Sequence, residues 1–353
     1  MLKTLLSGDY PRSRILSLIV LVIGISLLFA PFLYPGTKSL DTAAKIAIFV
    51  VLVASYDLLL GYTGIVSFAH TMFFGIGAYG TALALSSMGP GFTAIILGTL
   101  AGAVVAAVFA LAIGLFSLRV KAIFFAMVTL AIAGAFAVLM SQLSSITGGE
   151  DGLTYRIPRE LTPAFRPTRE KILGVAVTGR LFAYYLILFL SAFLFLVMLR
   201  IVNSPFGRTL QAVRDNGFRA EAIGYRAVWY RTAATVLSAV MAALAGSLLA
   251  IWLGYTGPAT TLSMEIMVDI LLMVVIGGMG TMYGAVIGAT IFILAQTYLQ
   301  DAMSVAAKAT ESLPLVPILV APERWLLWLG VLFILSVYFF PTGIVGRLRG
   351  RSG

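Results

Sequence analysis

The sequence predicts an all-α integral membrane protein with about ten transmembrane helices, and three observations support this fold class. Of its 353 residues, 60% are hydrophobic and only 11% are charged, whereas soluble domains carry about 25% charged residues. Several apolar runs reach the roughly 20 residues that a helix needs to cross the hydrocarbon core of a bilayer. The alternating pattern of a membrane barrel, with strands of about 10 residues, is absent from the sequence.

We expect ten spans within a single domain that covers the whole chain, residues 1–353. The first apolar run starts at Ile15, and a cleavable signal peptide is the alternative for it. Because the run is long and further membrane segments follow, we interpret it as a retained span. In chain order, the predicted spans are residues 15–34, 42–60, 70–88, 92–116, 121–142, 181–200, 229–254, 263–280, 284–300 and 325–340.

The distribution of Lys and Arg predicts which way the chain crosses the membrane. Ten spans put both termini on one side, and that side carries fourteen of the 24 cationic residues and three acids. The opposite side carries ten cations and eight acids, many of them in residues 143–180, a polar loop or small cap. Because cytoplasmic loops are rich in Lys and Arg, the termini are predicted to be cytoplasmic and the 143–180 loop periplasmic. The net charge of +10 then reflects topology rather than nucleic-acid binding.

The composition excludes several kinds of chemistry. The chain has no cysteine and one histidine, so disulfides, thiol catalysis and a His/Cys zinc cluster are excluded. The dipeptide Gly-Lys never occurs, so the chain lacks the phosphate-binding loop of an ATPase. Energy for any active transport must therefore come from another chain or from an ion gradient.

The end of the second predicted span carries a polar cluster. Asp57 lies near the C-terminal end of that helix, where the helix dipole disfavours an anion, so we expect a hydrogen-bond donor close by. Gly61 and Gly64 are expected to interrupt the helix, and irregular backbone at membrane depth requires surrounding protein or a water-filled path. We hypothesise that residues 61–70 line a solute path, and the alternative is a plain cytoplasmic turn. The candidate path residues here are Asp57, Thr63, Ser67 and His70, with a paired structural carboxylate and a packing histidine as the alternatives for Asp57 and His70.

A second pair of acids lies at the start of the eighth predicted span. Glu265 and Asp269 are four residues apart and therefore share a helix face near the periplasmic side. Acids in a first helical turn are also favoured by the helix dipole without any function. We keep both as candidate path residues that gate the entrance or pair with a cation on a partner subunit.

Glycines repeat at a spacing of four in two places. Gly98 and Gly102 form one frame, and Gly280, Gly284 and Gly288 form the other. Small residues at this spacing let helices approach closely in lipid, where no hydrophobic force drives helices together. We expect them to pack helices within the chain, with part of these surfaces facing a second subunit.

Residues 208–226 are the least hydrophobic long stretch of the chain, and they belong to the loop 204–226 between two apolar runs. Ser204 followed by Pro205 predicts a helix start, and Asn216 followed by Gly217 predicts its end. A second helical turn at residues 219–223 is predicted to end at Gly224. The apolar face of the first helix consists of Phe206, Leu210 and Val213.

Two interpretations of this basic, amphipathic segment are open. It can lie on anionic lipid, or it can dock into another protein. Two short capped helices in tandem favour docking into a cleft of another protein, because adsorption to lipid does not require such defined helix ends. Small Ala220 and Ala222 beside Glu221 would permit close approach of a partner.

This segment resembles the cytoplasmic coupling loop of ABC-importer permeases, specifically those of branched-chain amino-acid importers. Other stretches resemble the longer of that family's two paired permeases: DLLLGYTGIVSFAHTMFFGIGAYGTAL (57–83), ITGGEDGL (146–153), SPFGRTLQAVRDNGFRAEAIGY (204–225), IMVDILLMVVIGGMGTMYGAVIGA (266–289) and FPTGIVG (340–346). The resemblance implies that 204–226 is a cytoplasmic coupling helix that docks into an ATPase. The residues it assigns to that contact are Arg214, Asp215, Glu221, Ala222 and Gly224.

The resemblance also implies the partners and the location. The chain would form half of a translocation path with a second homologous permease in the bacterial inner membrane. A periplasmic solute-binding protein would deliver a branched-chain or related amino acid, and two ATPase subunits would bind ATP and Mg. The chain itself is expected to contact membrane lipid but to hold no cofactor or metal and bind no nucleic acid. Two alternatives stay open: a sister importer for urea, amides or aromatic acids, and an ion-coupled carrier, which needs an ion site in its spans rather than a docking helix.

Overall fold

A computed structural model describes residues 13–33, 36–117, 122–167, 171–172, 175–309, 321–340 and 342–350, and it confirms the all-α architecture. Each predicted span corresponds to a helix. These ten helices are α1 (Arg14–Leu33), α2 (Thr37–Thr63), α3 (His70–Met88), α4 (Phe92–Ser117), α5 (Ala122–Gln142), α6 (Gly179–Asn203), α9 (Ala227–Leu253), α10 (Met264–Gly277), α11 (Met282–Ala309) and α12 (Trp325–Phe339). The shorter helices α7 (Pro205–Asp215) and α8 (Gly217–Ala222) lie between α6 and α9, and α13 (Gly343–Gly350) follows α12.

Eight helical segments are long and apolar enough to cross a membrane, within the part of the chain that the structure describes. The helices that fall short are α3, which is less apolar, and α12, whose apolar stretch is shorter. Most side chains of α3 are buried by neighbouring helices. Because α3 contacts protein rather than lipid, it can cross a membrane without a strongly apolar surface. The described residues therefore support eight spans by length and composition, and the predicted count of ten is approximate.

The core of the bundle is built around α2 and α9. In their most apolar windows, 83% of α2 and 72% of α9 are buried, compared with 17% of α1 and 11% of α5. Helix α9 packs against α2, α3 and α4, while α2 also packs against α6, α10 and α11. The peripheral helices expose apolar side chains, which suits lipid or a partner subunit rather than water.

Glycines allow these helices to cross at very short distances. A Cβ on Gly77 of α3 would overlap the carbonyl of Ala243 in α9, and one on Gly288 of α11 would overlap the carbonyl of Met273 in α10. Gly98 and Gly102 of α4 pack closely against α3. The prediction of packing within the chain is therefore confirmed for these frames.

Two details of the glycine prediction are wrong. Gly280 lies in the turn between α10 and α11 with φ +76°, so it is not part of a helical frame. Gly61 does not interrupt α2, because the helix continues to Thr63 and ends at Gly64, which adopts φ +72°. Helix α11 also extends to Ala309, nine residues beyond the predicted end at 300.

Loops that the topology prediction puts on one side of the membrane meet at one end of the bundle. At the predicted cytoplasmic end, Arg214 contacts Gly61 and the turn at Gly280. At the other end, Arg180 pairs with Asp41 at 2.7 Å. These contacts agree with a chain that alternates between two ends.

The 143–180 segment forms a small cap over the second end. Strand β1 (Leu153–Thr154) pairs with β4 (Tyr255–Thr256), and β2 (Lys171–Ile172) pairs with β3 (Val175–Ala176), both antiparallel. The hydroxyl of Tyr155 donates to the carbonyl of Ala250 at the end of α9 and lies 2.9 Å from Thr256. The cap is thus anchored to the core helix α9 by its backbone and by a buried tyrosine.

Several residues used in the topology prediction lie outside the described residues. They are Lys3, Asp9, Arg12, Arg119, Lys121, Arg169, Glu170, Glu311 and Arg351, together with Tyr34 at the end of the first predicted span and Pro341 in the FPTGIVG stretch.

Candidate functional site

Helices α7 and α8 form an elbow at the predicted cytoplasmic end, two short helices separated by Asn216. The hydroxyl of Ser204 accepts a hydrogen bond from the Gly207 amide at 3.4 Å, and the side chain of Asn216 accepts one from the Arg219 amide at 2.9 Å. Such N-caps satisfy amides that the first helical turn leaves unpaired. The chain turns after α8 at Gly224, which has φ +99°.

The buried face of this elbow fastens it to the bundle. Leu210 and Val213 of α7 are fully buried, as the helical spacing predicted. Val213 packs in a small cluster with Ala220 of α8 and Ala227 at the start of α9. Both short helices are therefore held against the membrane helices rather than projecting freely.

The opposite face of α8 presents apolar side chains to the exterior. Phe218 is 84% exposed and Ile223 is 74% exposed, and Glu221, Ala222 and Gly224 lie between or beside them on the surface. We call these five residues the docking face. A cleft of about 370 Å³ opens beside the docking face, lined by Glu221, Gly224 and Trp229 with Leu115 of α4.

Sequence reasoning missed Phe218 and Ile223, although a signal for Phe218 was present. Residues three and four apart on a helix are neighbours, so Phe218 shares a face with Glu221 and Ala222. Ala220 faces the bundle, which directs Phe218 away from it. Apolar side chains that are exposed at an aqueous end of a protein indicate a partner surface.

Arg214 is exposed, like Asp215 and the docking face, but it also contacts the bundle. The guanidinium of Arg214 turns back toward the bundle and donates a hydrogen bond to the carbonyl of Gly61 in α2. Asp215 is exposed at the end of α7. Of the five residues that the resemblance assigned to the ATPase contact, Arg214 is thus the one whose side chain contacts the membrane helices.

Asp57 has the donor partner that its position predicted. Its carboxylate is 1% exposed, and Oδ1 accepts a hydrogen bond from the Gly280 amide at 2.8 Å. The other oxygen, Oδ2, is buried without a hydrogen-bond partner among the described residues. Gly61 has no room for a side chain, since a Cβ there would overlap this carboxylate and the Gly280 backbone. This contact explains why Gly61 is needed although it does not break the helix.

The segment after α2 folds back into the bundle. His70 begins α3, and its Nε2 lies 2.8 Å from the hydroxyl of Ser55. Ser55 is eight residues before the end of α2, which is about 12 Å inside the helix end at 1.5 Å per residue. Phe68 also donates its amide to Thr129 of α5 at 3.1 Å. Alternate residues of the irregular backbone at 64–69 are buried, although Gly64 is exposed. That this backbone lies at membrane depth, where it would need surrounding protein or a water-filled path, stays a prediction.

The polar groups around this break are enclosed. His70 is fully buried and its ring packs against Tyr56 with 5.1 Å between ring centroids. Thr63 bonds to the carbonyl of Leu59, and Ser67 accepts from the Ala69 amide. These local contacts suit a packing role, so a role in the solute path stays a prediction for Thr63, Ser67 and His70.

Glu265 and Asp269 lie toward the opposite end of the bundle, so the structure does not bring the six path candidates together. Glu265 is in the first turn of α10, where the hydroxyl of Ser263 caps the helix. Asp269 is partly exposed and accepts a hydrogen bond from Gln296 of α11 at 3.5 Å. Together these residues form an outward-facing polar strip on α10 and α11, both of which belong to candidate membrane spans.

Comparison with known proteins assigns the chain to a family. A family model described as the branched-chain amino acid transport system / permease component matches residues 39–337. The chain is 26% identical over 357 residues to the high-affinity branched-chain amino acid transport system permease protein LivM of Salmonella typhimurium, covering 98% of this chain and 77% of the relative.

Two Escherichia coli proteins are also similar. LivM of that organism is 24% identical, with the same coverage of both chains. The permease protein LivH is 24% identical over 326 residues, covering 91% of this chain and 96% of LivH. No solved structure matches the chain with significance. Since the family match spans most of the sequence, the chain belongs to the permease components of branched-chain amino acid transport systems, a family of multi-pass membrane transport proteins rather than enzymes.

Proposed function

We propose that this permease forms half of the translocation path of an ABC importer for branched-chain or related amino acids, in the inner membrane of a bacterium with both termini cytoplasmic. Separate ATPase subunits, which hold the ATP and Mg, drive it by docking on the 204–226 segment. The observation that carries this proposal is the docking face, where Phe218 in α8 and Ile223 at its C-terminal end are exposed. The chain lacks a phosphate-binding loop of its own, so in this proposal a separate ATPase supplies the energy. An exposed apolar surface at this end gives such an ATPase a place to dock.

The polar strip supports a second permease subunit. Exposed carboxylates on a membrane helix are costly against lipid and are normally turned toward protein or a water-filled path. Glu265, Asp269 and Gln296 face outward from this chain, so a partner subunit across the strip would remove that cost. The likeness to both LivM and LivH, which are permease proteins of one named transport system in Escherichia coli, agrees with a pair of homologous permeases.

The cap supports a binding protein at the periplasmic end. A cleft of about 570 Å³ opens there, lined by Arg156, Arg159, Arg180 and Trp252. The Arg180 guanidinium stacks over the Trp252 ring at 3.8 Å and pairs with Asp41, which links α6 to α9 and α2 at this end. A cleft lined by charged side chains, at the end opposite the docking face, could bind a soluble protein that delivers the solute.

Uptake by reconstituted vesicles tests the proposed function. The chain, a second permease, two ATPases and the binding protein should accumulate labelled leucine, isoleucine or valine only when ATP is present on the ATPase side. Accumulation should persist after an ionophore collapses the ion gradients. Transport that needs an ion gradient instead of ATP would contradict the proposal, and preferential uptake of urea, an amide or an aromatic acid would assign a sister substrate.

The path role of the 61–70 segment has its own test. Replacement of His70 by alanine is expected to lower ATP-driven uptake severalfold while the complex still assembles, if this segment lines the path. The matched control is Ser87→Ala, which removes a polar side chain that is exposed and bonds only within α3 among the described residues. Uptake at the wild-type rate with a lowered melting temperature would instead assign His70 to packing.

A further inference from the structure

The side chain of Arg214 links residues 204–226, which we call the coupling segment, to the core of the bundle. Its stem passes over Gly64, the residue that ends α2, and its guanidinium donates to the Gly61 carbonyl. Gly61 is one of the last four residues of α2, whose carbonyls have no partner within the helix. A cation at this position also complements the negative end of the helix dipole. The contact is therefore favourable on both counts.

The same side chain reaches the turn between α10 and α11. A Cβ on Gly280 would lie 3.2 Å from Arg214 Nη1, so the guanidinium is directly against that turn. The Gly280 amide is held by Asp57, which lies one helical turn before Gly61 in α2. Four residues thus connect three separate elements, and we call Asp57, Gly61, Arg214 and Gly280 the junction.

The charges of the junction depend on each other. A buried carboxylate near the end of a helix is costly unless it is paired or hydrogen-bonded. Asp57 accepts a hydrogen bond from the Gly280 amide through Oδ1, the neighbouring Thr281 amide also stabilises the carboxylate, and the positive charge of Arg214 acts on it electrostatically. Removing Arg214 would leave a buried anion that only these backbone amides compensate.

The elements that meet here are those that a transport cycle would have to move. Helix α2 is the most buried membrane helix of the described chain, and α10 and α11 carry the polar strip toward the other end. Helix α7 is joined to α8 and the docking face through the single residue Asn216. A displacement of α7 would therefore act on α2 and on the α10–α11 turn through the Arg214 side chain.

We propose that Arg214 and Asp57 are positioning residues that transmit movement of the coupling segment to the membrane helices, and that Arg214 does not contact the ATPase. The proposal rests on the proposed function, since it requires an ATPase that docks on this segment. It predicts that loss of Arg214 separates ATP hydrolysis from transport. A residue needed only for docking would instead affect ATPase binding.

The experiment compares Arg214→Ala with Arg214→Lys in the reconstituted importer. Three quantities are measured: the amount of ATPase that co-purifies, the rate of ATP hydrolysis, and solute taken up per ATP. Arg214→Ala is expected to retain the ATPase and to hydrolyse ATP. Its solute uptake per ATP should fall by about fivefold or more, because coupling between two sites typically changes an equilibrium by at least that factor. Arg214→Lys keeps the positive charge and should restore part of the coupling. Arg208→Ala is the matched control, because Arg208 is exposed on the same helix and its side chain has no hydrogen bond or ion pair within the described chain.

A double variant tests whether the two positioning residues act as a unit. Asp57→Asn keeps an oxygen for the Gly280 amide but removes the charge, so its coupling should fall less than that of Arg214→Ala. Combined with Arg214→Ala, it should cause no additional loss, because residues within one network are not additive.

Several results would overturn the proposal. Wild-type solute uptake per ATP in Arg214→Ala would remove the transmitting role, and loss of the ATPase from this variant would assign Arg214 to docking. If Arg214→Ala does not accumulate, Arg214→Lys and Arg214→Gln decide in the same assay, and full coupling in Arg214→Gln would reject the proposal. Failure of the proposed function is distinguishable, because it would abolish ATP-driven uptake by the wild-type complex.

Discussion

Replacement of Phe218 by aspartate is expected to release the ATPase from this permease while leaving the permease in the membrane. Phe218 is 84% exposed on α8, so the folded chain does not depend on its packing. Aromatic residues at the centre of an interface commonly contribute about 2 kcal/mol or more to binding, which corresponds to roughly a 30-fold weaker Kd after their loss. A charged replacement also places an unpaired carboxylate in the apolar contact.

Co-purification of the ATPase with the solubilised permease measures this effect. Phe218→Leu is the matched control, because it keeps an apolar side chain and should retain most of the ATPase. Glu221→Arg, which reverses a charge on the same face, should also prevent recovery. Equal recovery of the ATPase with Phe218→Asp and with the wild type would show that this face does not bind the ATPase and would favour its contact with anionic lipid.

The second large effect is expected in the bundle, where Gly77→Val should prevent formation of a folded protein. A Cβ on Gly77 would overlap the carbonyl of Ala243, and a Cβ on Gly246 would overlap that of Phe74, so α3 and α9 cross in backbone contact. The hydroxyl of Ser247 also donates to the Gly77 carbonyl at 3.0 Å. Overpacking a well-packed core costs about 1–3 kcal/mol or more, and here backbone rather than a flexible side chain would have to move.

Size-exclusion chromatography of the detergent-extracted protein separates this effect from a general loss of glycine. Gly134→Val is the control, because Gly134 lies on exposed α5 with no heavy atom of the described chain within 4 Å of its Cβ position. The Gly134→Val variant should elute as a single peak with a melting temperature close to the wild type. A Gly77→Val variant that behaves in the same way would contradict the described crossing of α3 and α9.

The features that the sequence predicted correctly are local ones. Apolar runs of about 20 residues place the membrane helices because every backbone group must be satisfied inside the bilayer. Ser204 caps α7 and Asn216 ends it as their positions predicted, since a cap depends on only three or four neighbouring residues. Asn216 is in addition the N-cap of α8, which was not predicted. The need of Asp57 for a donor followed from the helix dipole alone, although its partner, Gly280, could not be identified.

The features that were missed depend on contacts between distant parts of the chain. Position 61 needs glycine because it faces the Gly280 backbone, more than two hundred residues away, and not because the helix breaks there. The side chain of Arg214 was assigned to the polar face of α7, and only the packing of α7 against the end of α2 shows that it turns inward. The exposure of Phe218 likewise follows from which face Ala220 buries.

Labelling of a single introduced cysteine tests the central claim most directly: that residues 204–226 face the cytoplasm and receive force from another polypeptide. The chain contains no cysteine of its own, so in a Glu221→Cys variant a membrane-impermeant maleimide can report on that position alone in this subunit. Reaction is expected in inside-out vesicles stripped of the ATPase, with protection when the ATPase is added back and no reaction in intact cells. Reaction from outside intact cells, or equal labelling with and without the ATPase, would contradict the account.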